Sequence, residues 1–155
     1  MVIGIFGESC VGKSALAERL KTRLGAEVYT GKDFLRLAKS EAEAKRIFQG
    51  LLQAAMDGAH VIYVIAEREH LSLLPEGAVR VLVTAGLETI KARFAQRMGG
   101  TLPVPVAGML ERKHGMFDSA PHHVHVKSGE TELDAACEQV LRCHPALGRT
   151  PDGRG

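Results

Sequence analysis

The sequence predicts a three-layer α/β domain built on a parallel sheet. Two observations carry that reading. Short apolar runs alternate with amphipathic stretches five times along the chain, and a glycine-bearing turn joins the first run directly to the first amphipathic stretch. Strand followed by helix in such alternation requires parallel pairing with right-handed crossovers, which places helices on both faces of the sheet.

The elements follow in order. Val2 to Phe6 reads as a buried strand, and residues 13–24 as a helix with Leu16, Leu20 and Leu24 on one face. Ala26 to Thr30 is a short second strand. Residues 33–57 read as helical in two pieces meeting near Ser40; Ala44, Phe48, Leu51, Leu52 and Ala55 share a face of the second piece, and Gly58 stops it. Val61 to Ala66 is the third and most apolar strand, and Val79 to Thr84 the fourth. A helix over 87–98 buries Leu87, Ile90 and Phe94. His122 to Lys127 is the fifth strand, and a last helix over 131–142 carries Leu133, Ala136, Cys137, Val140 and Leu141 on one face.

Two stretches break this rhythm. Residues 99–121 hold four glycines and three prolines and predict a long, partly irregular insertion, which in a compact domain is more often functional than accidental. The segment 148–155, with three glycines and a proline, predicts a disordered tail. Residues 1–147 are therefore expected to form one domain.

Composition removes several classes of function. At 155 residues the chain can bury roughly two-thirds of its unfolded surface in one core but has no room for a second catalytic domain. The longest strongly apolar run has six residues, against about 20 needed to span a bilayer. Met1 to Phe6 has no basic start and no long apolar stretch, so it does not read as a signal peptide. With 20 Lys plus Arg against 18 Asp plus Glu, charge alone predicts neither a nucleic-acid nor a membrane partner. Three scattered cysteines (Cys10, Cys137, Cys143) suit a reducing cytoplasm rather than a disulfide scaffold. The expectation is a cytoplasmic monomer.

The chemistry lies in Gly7-Glu8-Ser9-Cys10-Val11-Gly12-Lys13-Ser14, which matches G-x-x-x-x-G-K-[ST]. It follows a buried strand and opens an amphipathic helix, the context the motif needs. Glycines let the backbone curl so that N–H groups point inward, and the helix N-terminus adds partial positive charge for a phosphate. Lys13 would reach the β- and γ-phosphates of ATP, and the Ser14 hydroxyl would ligate Mg²⁺. The competing explanation is a strand-to-helix turn with Lys13 merely solvated.

On these residues the chain resembles the small P-loop kinases of the nucleoside monophosphate kinase group, with cytidylate-kinase-like and shikimate-kinase-like members. Three further stretches add to the resemblance over residues 1–142. Thr30-Gly31 with Phe34 and Ala38 looks like the Ser/Thr-x-Gly…Arg…Ala stretch after the second strand, with Arg36 one position later than the family arginine. Val64-Ile65-Ala66-Glu67-Arg68 is similar to the strand ending in Gly-Arg, with Glu67 replacing the glycine. Val81-Leu82-Val83 followed by the helix from Ile90 to Arg97 is similar to the fourth strand and the helix that enters the lid. The resemblance implies a three-layer P-loop NTPase fold with strand order 2-3-1-4-5, an ATP site and a mobile lid. It also implies that Ser128 and Gly129 pack on adenine through their backbone.

The remaining candidates each carry an alternative. Arg93 and Arg97 lie four apart on one helix face, where they can place cations on the migrating phosphoryl group or simply face solvent beside Glu88. Arg112, Lys113 and His114 are further lid candidates. Glu67 ends the third strand, either as a catalytic carboxylate acting through Mg²⁺ and water or as an exposed strand-end acid. Asp33 is a catalytic or acceptor-binding carboxylate or a helix cap, and Arg36 and Arg68 are acceptor-binding candidates. His123 and His125 alternate onto one strand face with His122 on the other, without a cysteine or carboxylate at metal-ligand spacing.

The leading function is transfer of the γ-phosphoryl of ATP to a small-molecule acceptor. A switch NTPase is weakened because no N-K-x-D sequence occurs; a nucleotide-binding protein without transfer activity is the third class. Between the second and third strands the chain offers Lys32, Arg36, Lys39, Lys45 and Arg46, with Arg68 beyond, against Asp33, the helix acids and Glu67 as candidate bases. That balance leans towards a phosphorylated acceptor such as a nucleoside monophosphate over a hydroxylated metabolite.

Overall fold

The computed structural model describes residues 1–143. The expected disordered tail and the last four residues of the expected domain lie outside them. The elements are β1 (Val2–Phe6), α1 (Lys13–Leu24), β2 (Glu27–Thr30), a 3₁₀ turn (Asp33–Leu37), α2 (Glu41–Ala55), β3 (Val61–Ile65), a second 3₁₀ turn (Arg68–Leu73), β4 (Val79–Thr84), α3 (Leu87–Arg97), α4 (Val104–Lys113), β5 (Val124–Lys127) and α5 (Leu133–Arg142). The five strands form one parallel sheet in the order β2-β3-β1-β4-β5, as expected.

The order follows from burial. β1 and β3 are apolar on both faces and occupy interior positions, where a parallel strand has no solvated side. Val2 to Phe6 pairs with Val61 to Ile65, and Ile3 to Phe6 pairs with Val79 to Leu82 on the other edge. Alternation along the strands splits the core into two. Ile3, Ile5, Ile62, Val64, Val81 and Val83 pack against Leu16 and Leu20 of α1, Ile90 of α3 and Ala136, Cys137 and Val140 of α5. On the other face Val2, Phe6, Tyr63, Ile65 and Leu82 meet Phe34, Phe48 and Leu52. Phe117, from the segment after α4, completes this second layer at 5.7 Å from the Phe6 ring.

Three sequence expectations change. The helical stretch 33–57 does divide at Ser40, whose hydroxyl accepts from the Glu43 N–H at 3.2 Å as the cap of α2, but the first piece is a 3₁₀ turn. The insertion 99–121 is more ordered than its composition suggested, because it contains α4. Pro103 is the cap of that helix and Pro105 lies in its first turn, where a missing N–H is harmless. The fifth strand begins at Val124, and the histidines do not alternate as expected. His123 turns back so that its Nδ1 accepts from the Arg80 N–H at 2.9 Å, while the His122 ring stands 5.7 Å from that of His125.

Candidate active site

The turn from β1 into α1 is held by its surroundings. A Cβ on Gly7 would lie 2.3 Å from the Val83 carbonyl oxygen, so only glycine permits β4 to approach the loop this closely. Further on, Cys10 (φ 65) and Gly12 (φ 104) both take left-handed backbone, which curls the chain into the first turn of α1. Val11 is fully buried and anchors the curl in the core.

Lys13 opens α1 and is 8% exposed. Its Nζ donates to the carbonyl of Gly7 at 2.5 Å and to that of Glu8 at 2.8 Å. Burial, assisted by Arg97 and opposed by Cys10 and Glu8, lowers its pKa to about 8. The ammonium group is thus poorly hydrated and folded onto its own loop, a cation that a phosphate would stabilise. Ser9, Cys10, Gly12, Lys13 and Ser14 share a cavity of about 200 Å³ with Thr30, Gly31, Ala66 and Arg97. Ser14 is exposed there, so its hydroxyl is available to a cation beside the loop.

A larger cavity of about 660 Å³ opens on the other side of the loop, between Cys10, Val11, Gly12, Ala15, Arg93, Arg97, Val126, Ser128 and Gly129. Arg93 spans it. One guanidinium nitrogen donates to the Cys10 carbonyl at 3.0 Å and the other to the Ser128 hydroxyl at 3.0 Å. Arg97 lines both cavities, one turn nearer the glycine pair 99–100. Arg93, Arg97 and the Ser128-Gly129 turn therefore all border the loop from Gly7 to Ser14.

Glu8 departs from a simple loop role. Its carboxylate is buried and points to the segment behind α4, where one oxygen lies 3.1 Å from His114 Nδ1 and the other accepts from the Gly115 N–H at 3.0 Å. Sequence reasoning missed this clasp. The available signal was a carboxylate inside a loop built for anions, where it would otherwise oppose the ligand's charge.

The acceptor-side candidates are less concentrated. Asp33 does not cap the helix that follows; its Oδ2 accepts from the Thr30 N–H behind it at 2.9 Å. Arg36 is 78% exposed, donates to the Asp33 carbonyl at 3.3 Å, and its guanidinium stands 4.0 Å from the Asp33 carboxylate. Arg68 is drawn away to the Met116 carbonyl at 2.9 Å and the Ser119 hydroxyl at 3.5 Å. Glu67 precedes the second 3₁₀ turn and faces His70 at 4.0 Å. Tyr63 supports this side from below: its hydroxyl donates to the Gly31 carbonyl at 2.7 Å, and burial raises its pKa so that it stays protonated. Arg112 and Lys113 end α4, and among the described residues neither side chain forms a hydrogen bond or ion pair with the loop.

No protein-family profile matches the chain, and no curated protein matches it. Solved structures do. A sugar kinase from Janibacter sp. HTCC2649 is 16% identical with a TM-score of 0.64, covering 94% of this chain and 96% of its own. Shikimate kinase from Aquifex aeolicus is 18% identical with a TM-score of 0.52, over 91% of this chain and 94% of its own. The chain shares their three-layer α/β fold. The YorR protein of Bacillus subtilis, solved in complex with phosphorylated GDP, is 21% identical with a TM-score of 0.60 over 91% and 94%. At these identities the likeness shows a shared fold alone, and the site itself has to supply the function. No helix among the described residues is long and apolar enough to cross a membrane.

Proposed function

We propose that the protein is an ATP-dependent phosphotransferase acting on a small molecule. The observation that carries this reading is the convergence of Lys13, Ser14 and Arg97 on one cavity bordered by Thr30, Gly31 and Ala66, the carboxyl ends of β2 and β3. A nucleotide site alone would not need that second border. In this reading ATP lies across the loop, its base in the larger cavity against Arg93, Ser128 and Gly129. Lys13 leaves the Gly7 and Glu8 carbonyls for the phosphates, and Arg97 meets the charge that grows on the migrating group. The Ser14 hydroxyl would hold Mg²⁺, which supplies neutralisation of the phosphate oxygens.

The acceptor we favour is a hydroxylated molecule, against the lean of the sequence. Arg36 and Arg68 already donate to protein carbonyls, so fewer cations are free for a second phosphate than the composition suggested. Asp33 has one carboxylate oxygen fixed by the Thr30 N–H, leaving the other to take the proton an attacking hydroxyl must lose. The neighbouring sugar and shikimate kinases fit such an acceptor. A nucleoside monophosphate remains the second reading, supported by the exposed Arg36 and by the neighbour that holds phosphorylated GDP.

The test is ADP release from ATP with Mg²⁺, measured alone and with two panels, polyhydroxylated acids and sugars or nucleoside monophosphates. Acceptor-dependent ADP with the first panel supports the favoured reading, and with the second panel the alternative. Equal ADP release with and without any acceptor overturns transfer.

A further inference from the structure

We propose that Glu67, Glu69 and His70 form a mononuclear site for a divalent transition metal of the zinc class, separate from the Mg²⁺ that accompanies nucleotide. His70 is 2% exposed and carries the argument. Its Nδ1 is buried without a hydrogen-bond partner. Its Nε2 points between two carboxylates and reaches neither: Glu67 Oε2 is 4.0 Å away and Glu69 Oε1 3.8 Å, both beyond hydrogen-bond distance. The side chain is 3% exposed and its Nε2, the nitrogen on the carboxylate side, has neither acid within hydrogen-bond distance, which leaves room there for a ligand. A cation between the three groups would engage Nε2 and neutralise both acids at once.

Local geometry brings the ligands together. In a 3₁₀ turn, residues three apart eclipse one another, which stacks Glu67, immediately before the Arg68–Leu73 turn, over His70. The imidazole is fixed by packing, its ring edge-on to Phe34 at 5.6 Å and 84°. The two glutamates are 49% and 68% exposed and free to rotate. With metal–ligand bonds of about 2.0–2.2 Å, ligand atoms on a tetrahedral ion stand about 3.4 Å apart, so a small rotation of each glutamate closes the site around a stationary histidine. Among the described residues this is the one group of three or more His, Cys, Asp or Glu whose ligand atoms all lie within 4.8 Å of one another.

The donor set selects the ion. A nitrogen ligand disfavours Mg²⁺ and Ca²⁺, which take oxygen alone, and the lack of a thiolate fits zinc, cobalt or manganese in a mixed nitrogen–oxygen set. Two carboxylates balance the charge of the ion, and three protein ligands leave one position open. The site sits next to Ala66, which lines the cavity beside Lys13 and Ser14.

The experiment uses the full chain, stripped with a chelator and titrated with Zn²⁺, and in parallel with Co²⁺ followed by visible absorption. The wild type should bind one more equivalent than Glu67→Gln/Glu69→Gln, and only the wild type should show the intense bands of tetrahedral Co²⁺. Glu69→Gln alone should weaken the added equivalent at least tenfold while its ATP affinity, as a check on folding, stays unchanged. His122, His123, His125 and the cysteines are present in every protein compared, so the difference isolates this site. His70→Ala should also lose the equivalent; because that residue is buried, the glutamate variants decide if it fails to fold. Equal stoichiometry and affinity in wild type and double variant, or no binding by the wild type, overturns the proposal.

Discussion

Arg93 donates to the backbone carbonyl of Cys10 at 3.0 Å, joining α3 to the phosphate loop across 83 residues of chain. Its second bond, to Ser128, adds the turn after the edge strand. Removing this side chain should therefore loosen the pocket as well as slow the reaction. For Arg93→Ala we expect ATP affinity to fall about tenfold or more, because two hydrogen bonds of a charged donor are lost. Arg97→Ala should lower kcat, by up to about 10³-fold as for other transferred-phosphoryl arginines, with little change in ATP affinity. Titration of nucleotide binding beside steady-state kinetics separates the two; identical profiles would contradict the distinct placements.

Lys13, with its pKa lowered to about 8, makes binding depend on pH. Below pH 8 the free protein already carries the charge that attracts a phosphate. Above it, binding must take up a proton, so affinity falls as pH rises, by up to about tenfold per unit. Calorimetry between pH 7 and 10 in buffers of different ionisation enthalpy would show proton uptake on the alkaline side. Lys13→Ala should bind ATP far more weakly without this trend, and an unchanged affinity would refute the loop's role.

Gly7→Ala places a methyl group where the Val83 carbonyl lies 2.3 Å away. Relief requires the loop or β4 to move, so a loss of about 1–3 kcal/mol is expected, seen as a melting temperature lower by several degrees. Gly50→Ala, in open space on α2, serves as the control and should stabilise slightly.

Glu8→Ala frees the His114–Gly115 segment. Hydrogen exchange at the Gly115 amide should accelerate, since its acceptor is gone. Trypsin should cut after Arg112 or Lys113 faster than in the wild type. Unaltered exchange would mean that the clasp contributes nothing to the order of that segment.

Asp33→Asn distinguishes proton removal from architecture. The amide oxygen can still accept from the Thr30 N–H, so folding and ATP affinity should hold, while turnover of a hydroxylated acceptor drops about 10²-fold or more. A nucleoside monophosphate, already anionic, would be phosphorylated at a nearly unchanged rate.

The fold was legible because period-2 and period-3.6 apolar patterns are local, and Val2 to Phe6 and Val61 to Ile65 need no long-range information to read as buried strands. The phosphate loop was legible for the same reason: eight consecutive residues contain the glycines, the lysine and the hydroxyl. What the sequence concealed is long-range. Nothing near Glu8 announces a partner 106 residues away, nor does Arg68 advertise its bond to Met116. The helix Val104–Lys113 was hidden by the glycines and prolines of 99–121, although Pro103 and Pro105, at its cap and in its first turn, start a helix. The strand-like alternation of His122, His123 and His125 failed because pairing begins only at Val124.

The central place of β1 also bears on how the chain is made. Val2 to Phe6 emerges ahead of both of its partners, Val61–Ile65 on one edge and Val79–Leu82 on the other. During synthesis an apolar five-residue segment must wait some fifty-five residues for its first neighbour and longer for its second. Non-local parallel pairing is slow, and unpaired apolar edges invite association with other chains. The ribosome-bound intermediate is therefore the vulnerable species, and a pause in translation before β4 would expose it longest.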